Sequence, residues 1–145
     1  MSRSNLRGSL MMVVSAALML SPAYAANEAR WHGQVLVQVR GKSELPATVK
    51  SALHMEDHGT AGVADIGMPF NAGDAHVIDR PDRALIGAGH LGGHWIVVLV
   101  HNGGQSAPSL WLYEFEGPSL LVHRQLRFWK GGEDTFAAVV AELAD

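Results

Sequence analysis

Eight histidines and no cysteine set the terms on which this chain could do chemistry. Thiol nucleophiles and thiolate metal sites are excluded. A Gly-x-Ser-x-Gly elbow, a phosphate-cradling glycine loop and a His-Glu-x-x-His helix are also missing from the sequence. What remains is imidazole. His90 and His94 flank Leu91-Gly92-Gly93, the turn of an expected hairpin, so their rings approach if the register puts both on one face. Asp74 and His76, from the long loop before them, are the candidate further ligands. Zinc or copper would accept such a set, since both take imidazole readily. The competing explanation is that histidine is a common polar residue at strand ends. His54 and His58 are four apart on an expected helix, but Gly59 follows at once and makes His58 a fraying terminal residue. His101 and His123 read as structural or solvent-facing.

The aromatic residues suggest recognition instead. Trp95, Trp111 and Trp129 fall on or beside successive expected strands, where they line either a core or a groove. Trp95 and Trp111, with Phe70, Asn71 and Asp74 of the long loop, form the candidate ligand- or partner-binding set.

These side chains hang on a pattern of short elements. Apolar runs at Ala84–Gly89, His94–His101, Leu110–Phe115 and Leu120–Phe128 are fenced by Leu91-Gly92-Gly93, Asn102-Gly103-Gly104 and Gly117-Pro118-Ser119. That punctuation predicts an antiparallel meander. His94–His101 is apolar on both faces and is expected to be central, whereas the two strands after it alternate and are expected to bury one face each. Leu120, Val122, Leu126 and Phe128 form the expected buried face of the last strand. Trp31–Arg40, with Val35, Val37 and Val39 in alternation, predicts a half-buried strand. Ser43 as N-cap and Leu45, Val49 and Leu53 as a stripe predict a short helix to about Met55, with Gly59 as a natural stop. Phe136, Val139, Val140 and Leu143 predict a second helix from about Asp134. The segment Glu56–Arg83 between them is rich in Gly, Pro and Asp. It is expected to be an ordered loop laid over the sheet by Phe70 and Ile78. The expectation is therefore α+β: a mainly antiparallel sheet, made of a C-terminal meander and an N-terminal strand, with two short helices on one face and a long ordered loop.

Residues 1–25 have the form of a secretory signal peptide. Arg3 and Arg7 precede the apolar run Gly8–Ser21, then Pro22 and Ala23-Tyr24-Ala25 offer a break and a small-residue cleavage site. The run is shorter than the roughly 20 residues a bilayer span requires, so no membrane span is expected after cleavage. Residues 26–145 then make a single α+β domain in the periplasm or outside the cell, stabilised without disulfides. Loss of the two arginines takes the formal charge of −3 two units further negative. With no basic patch, nucleic acid is not an expected partner. The expected function is a soluble exported domain, non-enzymatic, binding a protein or small-molecule ligand. The alternative is a histidine-based metal-binding protein or metal-dependent enzyme built on His90, His94, Asp74 and His76.

Overall fold

The computed structural model describes residues 27–143 except 74, 75 and 105, so the signal segment and Asp74 lie outside the described residues. The sheet is built on the meander. Strands β5 (Arg83–Leu91), β6 (His94–Gly103), β7 (Ser106–Glu116) and β8 (Ser119–Phe128) pair antiparallel in sequence order. Upstream come the short β1 (Arg30–Trp31), β2 (Gln34–Val35) and β3 (Val37–Gln38), helix α1 (Ala47–Ala52) and β4 (Val63–Ala64), while helix α2 (Phe136–Leu143) closes the chain. The outer edge of β5 is shared: β3 pairs antiparallel at Gly89–His90, and β4 pairs parallel at Arg83–Ala84.

β6 is covered on both faces, as its doubly apolar pattern predicts. Ile96, Val98 and Val100 pack under α2 with Phe136, Val139 and Val140. Val97 and Leu99 pack under α1 with Leu45, Val49, Leu53 and Met55. Successive strand residues face opposite ways, so the two helices lie on opposite faces of the sheet and not on one. An amphipathic stripe states that a helix face is buried; it does not state against which side of a sheet. Covering both faces also buries Leu110 and Leu112 of β7 behind Tyr113 and Phe115, so that strand is not one-sided.

The last strand departs from simple alternation. Two β-bulges, where Leu121 and Leu126 have no opposite residue on β7, reset its phase twice. Val122 opposes Glu114 and Leu126 packs beneath α2, whereas Leu120 and Phe128 fall to the other side and are 45% and 61% exposed. Bulges and the exposed Arg124 also roughen this free edge against pairing with another chain.

The N-terminal region is a tight hairpin and not one strand. His32 and Gly33 take φ of 48° and 79°, as a two-residue hairpin turn requires. The turn changes which residues face inward: Trp31 and Leu36 are buried, while Val35 and Val37 are exposed. Helix α1 begins after Pro46, with no cap from Ser43, and stops before Gly59 is reached. His54 adopts φ 53°, and the N–H groups of His54 and Met55 return to the carbonyls of Ser51 (3.2 Å) and Lys50 (2.9 Å). This is a Schellman closure, locked by burial of Met55 beside Val49. His54 therefore ends the helix and shares no helical face with His58.

Among the described residues, no helix is long and apolar enough to cross a membrane.

Candidate functional site: an apolar cleft at the open edge of β5

Because β3 releases β5 after Gly89 and β4 holds only Arg83–Ala84, Leu85–Gly87 has no strand partner on the outer side among the described residues. Val39 N–H bonds the Ala88 carbonyl at 3.0 Å and then the chain turns away. It is drawn across to β4 by Asp65, whose Oδ1 accepts the Lys42 N–H at 2.9 Å. The interruption opens a cleft of about 810 Å³. Its walls are the Met68-Pro69-Phe70 loop, Ile86 on β5, Trp129 beyond β8, and Phe136 at the start of α2.

Each wall has a local cause. Phe136 lies on the bare backbone of Gly87, where a Cβ would overlap the Phe136 Cβ and stand 2.8 Å from its Cγ. Phe70 meets Trp129 edge to face, with ring centroids 5.4 Å apart at 62°. Asn71, only 2% exposed, ties the loop behind Phe70. Its Nδ2 lies 2.8 Å from the Arg80 carbonyl and 3.0 Å from both the Val77 carbonyl and Asp82 Oδ1. Its Oδ1 accepts the Val77 N–H at 3.0 Å. The loop is therefore ordered through Asn71 and Phe70, while Ile78, the other expected anchor, is 81% exposed.

Among the described residues, the charged groups of the lining are Arg40 and Asp134. Asp134 is fully engaged: Arg127 donates to it at 2.7 and 3.0 Å, and the Lys130 N–H at 2.5 Å. The Arg127 guanidinium holds the Asp134 carboxyl below the usual carboxylate range, outweighing burial, which acts the other way. Arg127 also grips Glu142 at 2.8 and 2.9 Å and so fastens α2 to β8. The lining contains no histidine.

The sequence-derived candidates divide. Phe70 lines the cleft and Asn71 supports it. Trp95 and Trp111 lie on the other face of the sheet, packed with the α1 cluster. His90 and His94 are not brought together: β5 and β6 pair His90 with Trp95 and Leu91 with His94, which puts the two imidazoles on opposite faces. His90 stacks on Trp95 at 4.4 Å, and its Nδ1 donates to the Gly92 carbonyl at 3.1 Å. His94 sits between Glu116 at 3.0 Å and Glu114 at 3.5 Å. His76 lies 3.4 Å from Asp82. Among the described residues, no group of three His, Asp or Glu side chains is placed to hold a metal ion. Ile86, Phe136 and Arg40 were not legible as site residues. Their signals, a bulge, a helix start and a strand end, acquire meaning only when the edge of β5 opens.

A second polar cluster lies on the α1 face. His101, Trp111, His123 and Tyr113 stand nearly parallel, with neighbouring centroids 5.1 to 6.2 Å apart, and His101 Nε2 hydrogen bonds the Tyr113 hydroxyl at 3.0 Å. Burial, helped by the charge of Arg83 and by His123, lowers His101 to about 4. Burial also raises the Tyr113 hydroxyl, partly offset by Arg83. The unfolded chain protonates His101 near pH 6.5, the folded chain only near 4. Stability from this group is therefore complete above about pH 6.5 and falls as the pH drops toward 4. Allowing for solvent screening of a partly exposed ring, we expect a loss of about 1–2 kcal/mol across that window. Urea unfolding at stepped pH should show it, and His101→Phe, which keeps the stack and removes the titration, should flatten it. An equal slope in the variant would assign the effect elsewhere.

No protein-family model matches the chain, and neither a curated protein nor a solved structure is significantly similar to it.

Proposed function

We propose that the protein is an exported, non-enzymatic binding module whose ligand site is the cleft at the open edge of β5. The observation that carries this reading is the cleft itself. Its volume lies within the range of about 300–1,000 Å³ common to small-molecule sites, and its walls are chiefly apolar with a few polar groups at the rim. Binding is favoured over catalysis by the chemistry of the lining. Asp134 is saturated by Arg127 and Lys130, the Thr135 hydroxyl accepts the Ala138 N–H at 3.2 Å at the start of α2, and among the described residues of the lining there is no imidazole or thiol beside it to act as base or nucleophile. Export is supported by the signal-like segment 1–25.

Titration with the neutral apolar fluorophore 1-N-phenylnaphthylamine tests the site. Saturable binding is expected in the protein, with a loss of about tenfold or more in Met68→Asp, which puts a charge on the cleft wall. Met68 is 59% exposed, so the substitution leaves the core untouched. Unchanged binding in Met68→Asp would place the probe elsewhere and overturn the assignment. For export, mass spectrometry of the chain from its native host should give an N-terminus at Ala26, and a cytoplasmic chain beginning at Met1 would remove that part.

A further inference from the structure

We propose that the ligand of this cleft is an amphiphile with a single anionic head, a carboxylate or phosphate ester on an apolar chain, its tail against Ile86 and Phe70 and its head at Arg40. The inference rests on the cleft being the binding site and adds the chemical class of what enters it.

Three observations carry it. The walls are chiefly apolar, with Phe136, Ile86 and the Phe70–Trp129 pair among them, which suits a hydrocarbon chain better than a compact polar molecule. The charge on the lining is unequal in availability. Asp134 is buried and neutralised by Arg127, whereas the Arg40 side chain is 95% exposed and, among the described residues, ion-pairs with Glu44 alone, at 3.4 Å. An exposed pair of that kind contributes little, so a ligand anion can displace it, and a guanidinium offers a carboxylate or phosphate two parallel donors. Finally, the backbone that carries Arg40 is fixed on both sides. Val39 N–H bonds Ala88, Arg40 N–H bonds Glu44 Oε2 at 2.9 Å, and Lys42 N–H bonds Asp65. An exposed side chain on a fixed rim can turn onto a head group without moving the fold. Gln38, the neighbouring polar residue, is already committed to the Asn27 carbonyl at 2.6 Å, so Arg40 is the residue that can choose the head.

Displacement of the neutral fluorophore by four dodecyl compounds, each below its micelle concentration, separates the parts. Dodecanoate and dodecyl phosphate are expected to bind about fivefold more tightly than dodecanol, and dodecyltrimethylammonium more weakly than dodecanol. Arg40→Gln should erase the advantage of both anions and leave dodecanol unchanged. Met68→Asp should weaken all four. Equal affinities for all heads, with dodecanol still displacing the probe, would overturn the anionic class and leave the cleft as the site. Tighter binding of the ammonium compound would overturn it too. If no dodecyl compound displaces the probe, both readings fall.

Discussion

Replacing Asn71 with alanine is expected to cost about 2–4 kcal/mol of folding stability, from one polar side chain in a loop. The amide is nearly inaccessible, and its two N–H groups are shared among the Val77 and Arg80 carbonyls and the Asp82 carboxylate. Its oxygen accepts the Val77 N–H, and its own backbone N–H reaches the Pro81 carbonyl at 2.7 Å. A truncated side chain leaves those groups without a partner. Water can reach part of them, because Val77 and Arg80 are exposed, which keeps the cost below the sum of the bonds. Asn71→Asp is the sharper variant. It is isosteric, yet it turns the donor edge into acceptors facing three acceptors, so it should lose at least as much as alanine. Urea midpoints measure the loss, and limited proteolysis should find new cleavage between residues 72 and 82. A near-neutral Asn71→Asp would show that packing, and not donation, holds the loop. Since Phe70 is the next residue, the same variants should also weaken probe binding in the cleft.

Gly87→Ala should be comparably damaging, at about 3 kcal/mol, for the opposite reason: there is no room. The added methyl would collide with the Phe136 Cβ, which is fixed by the helix backbone and cannot swing aside as a side-chain tip would. Phe136 is itself 4% exposed, and Phe136→Ala should cost about 3–4 kcal/mol through the cavity it leaves. The two sites touch, so their effects should not add. In the double variant the contacts with the ring carbons disappear while the contact with the residue-136 Cβ, which alanine keeps, remains, so the combined loss is expected to fall short of the sum by less than about 1 kcal/mol. Thermal or urea unfolding of the three proteins decides it. A Gly87→Ala loss under about 1 kcal/mol would mean α2 shifts freely over β5 and the cleft wall is soft.

Local pattern determined much of this protein. The meander was legible because Gly92-Gly93, Gly103-Gly104 and Gly117-Pro118 permit tight reversals between apolar runs, and those reversals need nothing from the rest of the chain. The double cover of β6 was legible for a similar reason: six consecutive buried side chains, Trp95 to Val100, leave neither face for water. The stripes Leu45-Val49-Leu53 and Phe136-Val139-Val140 were legible because helical period is a property of a few turns. The absence of cysteine by itself excluded thiol chemistry.

What only the tertiary structure decided are relations between segments that share no local signal. Period identifies a buried stripe without choosing a sheet face, so the placement of α1 and α2 on opposite faces had to come from packing. Register does not appear in a sequence: one residue of phase separates His90 from His94, and two bulges move Leu120 and Phe128 out of the face that strict alternation gives them with Val122 and Leu126. The cleft is the extreme case. It draws on β3, the loop at Met68–Phe70, the unpaired middle of β5, Trp129 and α2, segments that meet because β3 and β4 each hold one end of a single strand and leave its centre open. Phe70 could be read from the sequence as an anchor, since an aromatic in a polar loop must bury itself somewhere. Arg40 as the exposed charge in the cleft lining could not, because its meaning depends on Arg127 having already neutralised Asp134, 94 positions further along the chain than Arg40.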